Sequence, residues 1–137
     1  MFFLDEVTAL AAGHRPCFEC RRAAAVLFQA AFAAGKAGKM PLAAEMDAIL
    51  HGERRASSKT PARQDQIKNL PDAAIVVMAN TPMAVCGKQL LPWTASGYGS
   101  PVVADPLYEA MVLTPQSILG ALQSGYCPRW HASAGRE

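Results

Sequence analysis

The chain has 137 residues, of which 51% are apolar and 18% charged, so it is long enough for a core of its own and too apolar to be disordered. Thirteen basic against eleven acidic residues leave a net charge of +2, too little to announce nucleic-acid binding by itself. The longest apolar runs, Ala23–Phe28 and Ala73–Ala79, fall far short of a membrane span, so no membrane partner is expected.

Met1-Phe2-Phe3-Leu4 runs straight into Asp5 and Glu6, without the basic start and long apolar stretch of a signal peptide. Four cysteines do not make a disulfide scaffold in a chain of this size. Together these imply a reducing interior and a cytoplasmic location.

Residues 5–12 read as a short helix, with Asp5 as N-cap, Glu6 on the positive end of the dipole, and Val7, Leu10 and Ala11 on one face. Gly13 is the expected stop and Pro16 forbids continuation. Residues 21–34 form a strong alanine-rich helix carrying Val26, Leu27, Phe28 and Phe32; a helix apolar almost all round is buried or packed on a partner. Pro41 opens a third helix to about residue 51.

Residues 52–69 change character. Five basic residues stand against two acidic ones, a net +3, whereas the remainder has eight against nine, a net −1. With Ser57, Ser58, Thr60 and Pro61 the segment reads as an exposed basic loop, long for a compact domain. Residues 73–79 then form a buried strand, 83–86 its hairpin partner after an Asn80-Thr81-Pro82 turn, and 108–113 a third strand. Residues 93–101 read as an aromatic-bearing loop, in which Trp93 and Tyr98 cover a sheet edge or line a pocket. Thr114-Pro115 caps a last helix, 115–124. The expected architecture is α+β in one domain: helices over 1–51, the basic loop over 52–69, and a small antiparallel sheet of about three strands with a C-terminal helix over 70–137.

The motif that carries chemistry is Cys17-Phe18-Glu19-Cys20. A C-x-x-C loop aims two thiolates at one point, half of a tetrahedral zinc site. The other half is sought in Cys127 and His131, because each pair follows a helix stop: Ala9-Leu10-x-x-Gly13-His14-x-Pro16 is echoed by Ala121-Leu122-x-x-Gly125-Tyr126-x-Pro128. His14 is the alternate ligand. Two other readings stay open, that the thiols are buried small hydrophobes or that they form a redox dithiol. In the latter, Arg21 and Arg22 would favour the Cys20 thiolate at a helix start, although no strand precedes it as in thioredoxin-like folds. Asp47 and His51, four apart on one helix, form a weaker acid–base pair.

Residues 2–20, with the alanine-rich helix and Ala12-Gly13-His14-Arg15-Pro16-Cys17-Phe18-Glu19-Cys20, resemble the second half of the metal-binding domain of Ada-type DNA alkylation-repair proteins. The resemblance covers about a seventh of the chain. It implies that Cys17 and Cys20 ligate zinc, that Arg15-Pro16 shapes the turn, and that the context is DNA. That family's other two cysteines lie upstream, one of them the methyl acceptor; neither occurs here, so methyl transfer is not implied. The whole chain also resembles a group of uncharacterised bacterial proteins that share Gly13–Arg22 and a late Leu113-Thr114-Pro115 helix start. Those carry more sequence before the phenylalanines, which suggests a shortened form with an incomplete site.

Phosphate contacts, if made, would fall to Arg15, Arg21, Arg22, Arg54, Arg55, Lys59 and Arg63, although no aromatics are interleaved for base stacking. No Walker, G-x-S-x-G or H-E-x-x-H motif occurs. The functional expectation is a non-enzymatic zinc-binding module acting on or near DNA. The alternative is a metal-independent interaction protein that forms a homodimer through its alanine-rich helix.

Overall fold

The computed structural model describes residues 3–55, 60–62, 67, 69–87, 89–103 and 110–135, with the backbone alone at 55 and 60–62. Helix α1 spans Glu6–Ala11, α2 Arg22–Gly35, α3 Ala43–Arg55 and α4 Gln116–Gln123. The strands are β1 (Thr60–Ala62), β2 (Ile75–Met78), β3 (Thr81–Cys86), β4 (Gln89–Thr94), β5 (Gly97–Tyr98) and β6 (Ala110–Val112). A 3-10 turn at Ala132–Ala134 follows the last helix. The fold is α+β, and the sheet is antiparallel with strand order β1-β6-β2-β3-β4-β5.

Among the described residues, six strands replace the expected three or so. β1 lies inside the segment read as a basic loop, which is therefore part helix, part sheet edge: α3 runs on to Arg55, and Thr60 to Ala62 pair with Val112 to Ala110. β4, not among the strands expected from sequence, contains Pro92, a residue that disfavours the middle of a sheet. Leu90 N–H bonds to Val102 O, on the side away from β3, and residue 92 points the same way. The N–H that proline lacks is thus one β3 does not need. β5 is two residues of the aromatic loop, held as Trp93 pairs with Tyr98. The β2–β3 hairpin turns at Ala79-Asn80, with φ of 51° and 63°, the twist that suits a two-residue hairpin, one position before the turn expected from sequence. Of the expected strand 108–113, the first two residues lie outside those described.

Alternation along β2 sends Ile75 to one face and Ala74, Val76 and Met78 to the other. The first face joins Val7 and Leu10 of α1, Phe28 and Phe32 of α2, Met46 and Leu50 of α3, and Ile118 and Leu122 of α4. The second gathers Ile67, Val85, Leu90 and Val112. α2 and α4 cross at glycines: a Cβ on Gly35 would lie 2.6 Å from the Gly120 carbonyl carbon.

α1 and α4 end identically. Gly13 and Gly125 have φ of 86° and 107°. Gly13 N–H and His14 N–H donate to Leu10 and Ala9, as Gly125 and Tyr126 donate to Leu122 and Ala121. This is the Schellman cap. The repeated grammar seen in sequence is therefore a repeated helix stop. The start of α4 differs from expectation. Thr114 Oγ1 accepts from Ile75 N–H at 2.8 Å instead of capping the helix. Glu53 of α3 caps it from a distance, accepting from Ser117 N–H at 3.0 Å and from the Ser117 hydroxyl.

Candidate metal centre

The C-x-x-C loop is built by a turn and braced by two arginines. Arg21 N–H closes residues 17–21 by donating to Cys17 O at 2.9 Å. Ahead of the turn, the Arg15 guanidinium grips the Asp47 carboxylate through Nε at 2.7 Å and Nη2 at 3.0 Å, bonds Pro16 O at 2.9 Å, and lies 5.4 Å over the Phe18 ring. Behind it, Arg21 Nη1 donates to Glu6 Oε2 at 2.6 Å. Pro16 is buried and Phe18 packs on the main core.

The loop backbone is thus fixed while Cys17 and Cys20 both face solvent. This removes the reading of them as buried hydrophobes. Cys20 N–H points at Cys17 Sγ, 3.4 Å away. That backbone donor, followed by the Cys20 side chain, lowers the Cys17 thiol below its ordinary value, while the hydrogen bond and charge of Cys17 raise Cys20. The pair gives up one proton early and the other late.

The remaining predicted ligands do not gather with this pair into a metal-holding group. Cys127 is exposed, its thiol 3.5 Å from Gly125 O, on the rim of a groove beside α2 that also involves Arg21 and Leu27. His131 caps the 3-10 turn: its Nδ1 accepts from Ser133 N–H at 3.1 Å and sits 2.7 Å from the Ser133 hydroxyl. The His14 ring lies tilted against Phe3, 5.2 Å between centroids, and lines a cleft of about 290 Å³ with Cys17, Asp47 and Arg54. Among the described residues, no three His, Cys, Asp or Glu side chains converge tightly enough to hold a metal ion. Cys17 and Cys20 are brought together; Cys127, His131 and His14 are not added to them.

Of the seven cations expected at phosphates, Arg15 and Arg21 are engaged by carboxylates. Arg22 and Arg54 are exposed, the Arg55 side chain is not described, and Lys59 and Arg63 lie outside the described residues. Asp47 is committed to Arg15, which leaves His51 exposed without the acid–base partner expected for it. Tyr98 is buried in the core, and Trp93 lines an apolar cavity of about 360 Å³ with Phe3, Ile75 and Leu113.

Sequence reasoning missed the carboxylates that close the chain on itself. Asp5 Oδ2 accepts from the Tyr98 hydroxyl at 2.9 Å and His131 N–H at 2.8 Å. Glu6 accepts from Arg21, from the Tyr126 hydroxyl at 2.7 Å and from Arg129 N–H at 2.7 Å. Both tyrosines are pushed well above their ordinary values, first by burial and then by the adjacent carboxylate. No periodicity links these partners, so no local pattern could have found them.

In comparisons with known proteins, no family model, no curated protein and no solved structure matches this chain. No described helix is long and apolar enough to cross a membrane.

Proposed function

We infer that this chain is a non-enzymatic metal-binding module whose protein ligands are the Cys17 and Cys20 thiolates and whose metal is zinc. One observation carries the reading: two solvent-facing thiols on a loop whose backbone is braced on both sides, with a backbone N–H directed at one sulfur. Thiolate is the ligating form, and soft sulfur donors suit zinc. The resemblance of residues 2–20 to the Ada-type metal-binding domain points the same way. Cys127 and His131 are left out of the ligand set, because each is held by its own local contacts. Bound zinc would cross-link the loop and stabilise it in its folded form. Among the described residues, DNA enters this reading through the exposed Arg22 and Arg54, which predicts weak binding that declines with salt.

A second reading, a metal-independent interaction protein, is favoured by α2, where Val26 and Leu27 are 45% and 66% exposed on a helix whose other face packs on the core.

Metal analysis separates the two. Protein purified without chelator, then exposed to zinc and desalted, should retain the metal, and Cys17→Ser or Cys20→Ser should lose it. Folded wild-type protein that holds no zinc would overturn the first reading.

A further inference from the structure

We propose that the zinc site is completed by a second copy of this chain, Cys17 and Cys20 of each copy supplying the four thiolates of one tetrahedral centre. The proposal rests on the metal reading above and adds the partner.

A structural zinc site takes four protein ligands. This loop supplies two, and among the described residues no third ligand stands with them. A second chain can supply the two donors that the described residues do not. Both thiols are exposed at the surface, so a second surface can reach them. A two-fold axis through the metal makes the partner's ligands the same pair, the self-complementary arrangement of the commonest oligomers.

Four thiolates and one Zn²⁺ carry a net charge of −2, formed as four thiol protons leave to solvent. Arg15 and Arg21 are already neutralised by Asp47 and Glu6 and cannot balance it. Arg22 is exposed beside Cys20, and two copies bring two such cations to one centre. Exposed Glu19, between the thiols in sequence, offsets Arg22 on each loop, so Arg22 of one copy can face Glu19 of the other.

The loop also leads into α2, whose outward positions Ala23, Val26, Leu27, Ala30 and Ala34 follow the helical repeat. Small side chains let two such helices approach closely, while Val26 and Leu27 provide the apolar area to exclude water. A second copy docked at the metal would cover this stripe.

The test uses the full chain and zinc alone, with metal content and solution mass measured together. The expected result is one zinc per two chains, with the 14.6 kDa mass doubling on zinc addition and halving again on chelation. Cys17→Ser and Cys20→Ser should each abolish both effects. Leu27→Glu should weaken the zinc-bound dimer ~10-fold or more, because two like charges are driven into one apolar contact. One zinc per chain on a monomer would overturn the second copy while leaving the metal reading intact, and no zinc at all would overturn both. A dimer indifferent to zinc would overturn the metal bridge, and a dimer indifferent to Leu27→Glu would remove α2 from the interface.

Discussion

Asp5-Glu6 and Cys17–Cys20 stand at the two sides of the same short helix, yet their chemistry is opposite. Besides Thr8, which Asp5 caps within α1, the described partners of the carboxylates are donors elsewhere in the fold: a tyrosine hydroxyl for each, backbone N–H groups of the C-terminal segment, and Arg21. The thiols contact little beyond their own loop. In the first pair polarity is consumed in holding the chain together; in the second it is presented to solvent on a braced frame. The contrast separates residues that build this molecule from residues available for a ligand.

The sharpest way to break the comparison is to remove one member of each pair. Glu6→Ala leaves a phenol, a guanidinium and a backbone N–H without their acceptor, and should cost about 3 kcal/mol in urea unfolding. Cys17→Ser, measured on metal-free protein, should stay within about 0.5 kcal/mol of wild type. Equal losses would mean that the thiol loop is structural too. Asp5→Ala removes the cap of α1 and the acceptor for Tyr98 and His131, and should cost about 2 kcal/mol.

The pH dependence belongs to the carboxylate side. Tyr98 and Tyr126 hold their protons more tightly folded than unfolded, so their contribution is complete below about pH 10 and is lost as pH rises beyond it. Unfolding free energy followed from pH 8 to 11 should fall only at the alkaline end, and Tyr98→Phe should flatten that fall. The smallest effect lies on the thiol side. Cys17 should react with iodoacetamide at lower pH than an ordinary thiol, and should still do so in Cys20→Ser, because the leading cause is the backbone N–H of residue 20 and serine keeps it. An ordinary rate profile in that variant would place the effect in the lost side chain instead.

The helices were legible because their signals are local. Asp5 as a cap, Gly13 and Gly125 as stops, and the apolar spacing of α2 all act within one or two turns. The sheet was half legible: the Ile75-Val76-Val77 run announced β2, whereas β4 was hidden by Pro92, whose harmlessness depends on which side of the strand its nitrogen faces. β1 was hidden in a basic, serine-containing segment whose pairing with β6 is set by a distant strand. At the site, the spacing of Cys17 and Cys20 was sufficient to find the pair. The arginines beside them read as phosphate contacts because Asp47 and Glu6, which hold them, lie far away in sequence. Cys127 and His131 shared a sequence context with the first pair, but an identical helix stop does not aim the following side chains at the same point.

The account's central claim is that these two thiols bind metal and that two copies share it. X-ray absorption at the zinc edge of the zinc-loaded wild-type chain tests it most directly, since it counts the sulfurs around the metal. Four sulfur neighbours at ~2.3 Å are expected; a shell of two sulfurs would contradict the shared centre, and a shell of nitrogen and oxygen alone would contradict the metal reading as well.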